Sequence, residues 1–104
     1  MGSGARRIDF AGINGAAMGR VMDLLNRWLP DGRLDGREFV ALNPRRPDKR
    51  LGSFRINVDS GKWADFALGE GGGDIVSLAA YLGGIGQGEA AREMAEMLGV
   101  DLYE

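Results

Sequence analysis

A chain of 104 residues without one cysteine or histidine has few ways to hold itself together. Disulfides are excluded, and so are the nitrogen and sulfur ligands that a structural zinc requires. The same absence removes cysteine nucleophiles and Ser-His-Asp triads, and leaves carboxylates, lysine, arginine and tyrosine for any acid–base chemistry. The fold must rest on apolar burial and hydrogen bonding, in a single small domain with a modest core. The apolar share of 44% is ordinary for a globular protein, and no run approaches the roughly 20 apolar residues that span a membrane. No apolar signal-peptide core follows Met1, so a cytoplasmic location is the expectation.

The patterning divides the chain into a helical start, a β-rich middle and a helical end. Residues 1–8 read as loose. Over residues 9–29, Phe10, Ile13, Ala17, Val21, Leu24, Leu25 and Trp28 recur at helical spacing, with Asp9 or Asn14 as the cap. Met18, Met22 and Trp28 are expected to pack on the core. Three β-type runs are expected within residues 37–68: Arg37 to Leu42, the alternating Phe54-Ile56-Val58 set, and Lys62 to Phe66. Asn43-Pro44 and Asp59-Ser60-Gly61 are turn signals, and residues 69–73 read as a glycine hinge without regular structure. Residues 74–98 form the helical end. Asp74 is the expected N-cap of one helix that stops at Gly83-Gly84, and a last helix from about Gln87 to Leu98 ends at Gly99.

Charge is distributed unevenly along this frame. Residues 33–62 carry eight basic side chains against four acidic ones, a local +4, so the remainder of a chain of net charge −2 carries −6. A basic middle between acidic helices fits a polyanion-binding face, and it equally fits a need for solubility.

Four stretches in this middle have a further property in common: Asn43-Pro44-Arg45-Arg46, Ser53-Phe54-Arg55-Ile56-Asn57, Trp63-Ala64-Asp65-Phe66-Ala67-Leu68-Gly69 and Gly72-Gly73-Asp74-Ile75-Val76. In their order and framework residues they resemble the zinc-ribbon module at the front of phage, plasmid and bacterial DNA primases and primase-helicases. There a Cys-Pro-x-His-type pair precedes a Ser-Phe-x-x-Asn strand, a Trp-x-Cys-Phe-x-Cys-Gly knuckle and a Gly-Gly-Asp helix start. The resemblance covers roughly residues 38–99. Its departure is that the four ligand positions hold Asn43, Arg46, Asp65 and Leu68. Arginine and leucine do not ligate zinc, so the resemblance implies a degenerate form with no metal and no cofactor. An Asp65–Arg46 ion pair and apolar packing by Leu68 are expected to stand in for it.

The resemblance implies an α+β fold: a small three-stranded antiparallel, zinc-ribbon-like sheet without metal, one helix before it and two after. It also implies a non-catalytic domain that binds single-stranded template DNA, next to a primase or helicase catalytic domain or another replication protein. The residues expected to carry binding are Arg45, Arg46, Lys49, Arg50, Arg55 and Lys62, with Trp63 open between core residue and stacking platform, and Phe66 expected in the core. Other sites are weaker. The Gly69–Gly73 loop lacks the Gly-Lys-Ser/Thr of a P-loop, and Glu70 and Asp74 oppose an anion there. Asp65, Glu70 and Asp74 would suit a hard cation, but Asp74 is already used as a cap. The alternative role is a protein-interaction module on the same fold, in which Glu89, Glu93, Glu96 and Trp28 matter more than the basic loop.

Overall fold

The computed structural model describes residues 6–46 and 51–104. They form four helices and five strands in the order α1 (Phe10–Met18), α2 (Val21–Trp28), β1 (Arg33–Asp35), β2 (Glu38–Ala41), β3 (Phe54–Asn57), β4 (Trp63–Asp65), β5 (Glu70–Gly72), α3 (Ile75–Gly83) and α4 (Gln87–Leu98). The fold is α+β. The sheet is an antiparallel meander of five strands in sequence order, not three, and two helices precede it, not one.

Each difference has a local cause. The segment read as one helix breaks at Gly19-Arg20, where Arg20 leaves helical geometry (φ −133°, ψ 26°). Asp9 caps α1 by accepting the Gly12 N–H at 3.0 Å. Asn14 serves a different helix, since its side-chain oxygen accepts the Val76 N–H at 2.9 Å. It thereby joins Asp74, which accepts the Ser77 N–H at 2.8 Å, in capping α3. The strand β1 pairs with β2 around Gly36, which adopts φ 64°, so Asp35-Gly36 was a hairpin signal.

The strand β5 arises where no sequence propensity favours it. Trp63 pairs with Gly72 and Ala64 with Gly71. A Cβ on Gly71 would stand 2.7 Å from the Trp63 carbonyl oxygen, and one on Gly72 would collide with Ser77 Oγ and the Trp63 indole. Glycine is required here by close approach rather than as a hinge.

One sheet face carries Phe39, Ala41, Phe54, Ile56 and Trp63 into a single core with Ile13, Leu25, Ile75, Leu78 and Met94 of the helices. Met18, Met22 and Trp28 pack on its edge. The first described residues and the C-terminal residues meet beside this core. Ile8 bridges Tyr103, and the Asp9 N–H donates to the Leu102 carbonyl at 2.8 Å, so residues 6–8 are tied down rather than loose. No helix among the described residues is long and apolar enough to cross a membrane.

Candidate nucleic-acid interface

At one end of the sheet, the turn after β2 and the turn after β4 form two knuckles that meet around Asp65. In register, Phe54 faces Ala41 on one side and Asp65 on the other, so Asp65 enters on the core side of the sheet. It is fully buried, and Asn43 is 1% exposed. Burying a carboxylate is costly unless donors surround it. Four do. Oδ2 accepts Asn43 Nδ2 at 2.8 Å and Arg46 Nε at 3.0 Å, while Oδ1 accepts the Ala67 and Leu68 N–H groups at 2.9 and 3.1 Å. Burial pushes the Asp65 carboxyl up, but these four hydrogen bonds outweigh it and hold the group below the ordinary aspartate value.

The network extends outward from this carboxylate. Asn43 Nδ2 also donates to the Tyr81 hydroxyl at 2.8 Å, and that hydroxyl donates to Glu70 Oε1 at 2.7 Å. Burial, together with the carboxylates of Glu70 and Asp65, raises the phenol above its usual range, so it stays protonated and able to donate. No buried side-chain polar atom among the described residues lacks a partner.

Asn43, Arg46, Asp65 and Leu68 therefore do gather at one place, but by different means. Arg46 pairs with Asp65 as expected. Leu68 contributes its backbone N–H, while its side chain is 46% exposed rather than packed inside. A zinc ion does not fit this set. The Arg46 guanidinium and the Asn43 amide already take the inward oxygen of Asp65, the one hard ligand present. The other carboxylates are also engaged elsewhere: Asp74 caps α3 and Glu70 accepts from Tyr81. Among the described residues no three acidic groups come together as a cation site.

The fold is primase-like. It is similar to the Aquifex aeolicus primase (zinc binding and RNA polymerase domains), with a TM-score of 0.77 and 23% identity, over 92% of this chain and 23% of that one. At that identity the likeness concerns the fold alone, and this chain spans under a quarter of that primase. No family model matches the sequence, and no curated protein does.

The sequence-derived binding residues separate into distinct groups on this primase-like frame. Arg45 and Arg46 lie on the first knuckle. The Arg45 guanidinium is 5.8 Å from the Tyr81 ring centre. Arg55 stands on the open face of the sheet, where its guanidinium bonds Glu38 at 3.1 Å and lies 3.9 Å from Asp35, so its charge is already answered. Lys62 lies beyond the opposite end of β4, beside the β3–β4 turn. Lys49 and Arg50 fall outside the described residues.

The two aromatic residues exchange roles. Trp63 is 6% exposed and donates its indole N–H to Ser77 Oγ at 2.7 Å, with its ring 4.7 Å from that of Tyr81. It has no open face for a base. Phe66, expected in the core, is 70% exposed. Strand alternation explains the exchange: Trp63 and Asp65 face inward, and Phe66 follows as β4 ends. Ser53 holds Phe66 beside the basic knuckle, since its carbonyl accepts the Phe66 N–H at 2.8 Å and its hydroxyl accepts from Arg46 Nη2 at 2.6 Å. Leu51 and Leu68 add exposed apolar surface at this end. Sequence reasoning missed Phe66; the signal was the buried position of Asp65, which fixes the phase of the strand.

Proposed function

We propose that this chain is a primase-type module without catalysis of its own, and that it holds single-stranded template DNA at the knuckle end of its sheet. In this reading Asn43, Arg46, Asp65 and Leu68 are the remains of a zinc ribbon. A polar network centred on Asp65 keeps the knuckles together where a metal would have done so. The carrying observation is Phe66, a phenylalanine 70% exposed and joined through Ser53 to Arg46. An exposed ring on a basic rim is the arrangement that receives a stacked base and its phosphate. Arg45 supplies the exposed cation, and Lys49 and Arg50 follow it in the sequence. Arg55, Lys62 and Trp63 have no part in this version of the site.

Fluorescence anisotropy with a labelled oligonucleotide at low salt tests the proposal. Phe66→Ala should weaken binding by about 1–3 kcal/mol for every sequence alike. Arg45→Glu should both weaken binding and flatten its salt dependence, because every phosphate left without its cation removes a slope of about 0.7 in log affinity against log salt. Both residues are exposed, so both variants should unfold at the wild-type midpoint. Absence of binding at high micromolar protein, or binding unchanged by both variants, refutes the reading.

A further inference from the structure

A second surface lies away from the knuckles. Trp28 at the end of α2, Pro44, Leu82 at the end of α3, Ile85, and Met94 and Met97 of α4 line a groove of about 370 Å³. Its lining is mainly apolar, and Met97 is 36% exposed. The described residues leave this groove open.

We propose that the groove receives a basic amphipathic helix of a partner protein, laid along α4. Two observations select that occupant. The first is charge. Glu93 lines the groove, and Glu89 and Glu96 lie one turn to either side of it on α4. Among the described residues none of the three has an ion pair or hydrogen bond, although every buried polar side-chain atom of those residues has a partner. A row of unanswered carboxylates beside a mainly apolar lining favours lysine or arginine flanking an apolar anchor.

The second observation is the backbone. The walls come from helices and turns, and neither edge strand of the sheet, β1 or β5, lines the groove. An extended peptide would therefore find no strand edge to pair with. A helix satisfies its own main-chain groups and presents apolar residues at i, i+3 or i+4, and i+7, matching Ala90, Met94 and Met97 of α4. Arg27 donates to the Met97 sulfur at 3.8 Å and so sets a cation of this chain beside Met97, and the partner's cations should align with Glu89 and Glu93 instead.

The probe is a synthetic helical peptide of about 14 residues, long enough to follow the roughly 18 Å of α4. It carries leucines at i, i+4 and i+7 with lysines on the flanks, and a twin peptide carries glutamates in place of the lysines. The methyl resonances of Met94 and Met97 report occupation. The lysine peptide should shift both saturably and bind at least about tenfold more tightly than its twin. Glu93→Lys, at an exposed position that leaves the fold intact, should reverse that preference. No shift of either methyl overturns the proposal, as does equal binding of the two peptides. Shifts that grow with protein concentration alone would make the occupant a second copy of this chain. Shifts produced by an oligonucleotide would make it nucleic acid. Either result overturns the proposal too.

Discussion

Replacing Asp65 by alanine removes the common acceptor of both knuckles. The carboxylate is fully buried and takes four hydrogen bonds, two from side chains and two from the backbone. Its donors differ in what they have left. The Leu68 N–H retains a 3.2 Å contact to the Asp65 carbonyl, and Arg46, with 23% of its side chain exposed, keeps Ser53 and reaches water. Asn43 keeps Tyr81 but loses its second acceptor in a site 1% exposed. A broken buried pair costs about 3–5 kcal/mol, and the surviving partners place Asp65→Ala at about 3. Arg46→Ala leaves three donors on the carboxylate and should cost about 1–2 kcal/mol. With a urea slope of about 1–3 kcal/mol per molar, Asp65→Ala should lower the unfolding midpoint by about 1–3 M. Asp65→Asn should cost nearly as much, because its NH₂ would meet the Arg46 and Asn43 donors head-on. Urea titration followed by far-UV circular dichroism and by fluorescence of buried Trp63 gives all three values. A midpoint change below about 0.3 M for Asp65→Ala, or a larger cost for Arg46→Ala, would refute this account of the network.

The same carboxylate makes stability depend on acid. Its folded pKa is lowered, so on acidification the unfolded chain takes up the proton first. The contribution of Asp65 is complete above about pH 4–5 and is lost as pH falls through the folded value; thermal melts from pH 6 to pH 2 should show this loss in wild type and not in Asp65→Ala. Gly72→Ala should destabilise the fold although it adds one methyl, because that methyl meets Ser77 Oγ and the Trp63 indole; a red shift of tryptophan emission at unchanged helix content would report the displaced ring. Protein purified without chelator should carry no stoichiometric zinc by elemental analysis, and chelation should leave the melt unchanged. A zinc signal whose removal unfolds the protein would contradict the reading of Asn43, Arg46 and Leu68 as non-ligands.

The sequence by itself determined the elements whose signals are local. Helix caps are interactions over three or four residues, so Asp74 and Gly99 could be placed from the residue order, and α4 runs over the expected residues 87–98. The alternation of Phe54 and Ile56 likewise fixed which face of β3 is buried. The Asp65–Arg46 pair was legible because two knuckle positions carried opposite charges in a frame that had to bring them together. What only the tertiary structure decided depends on neighbours distant in sequence. Glu70–Gly72 has no strand propensity and becomes a strand because β4 offers a ladder and the Trp63 indole leaves room for glycine alone. Asn14 looked like a cap for its own helix but caps α3, 62 residues away. The basic run looked like one surface, yet pairing across the sheet gives Arg55 to Glu38 and sends Lys62 to the opposite end from Arg45. Trp63 and Phe66 exchange burial for the same reason. Which of two aromatic residues faces water is set by the phase of the strand, and that phase is fixed by the donors that surround Asp65.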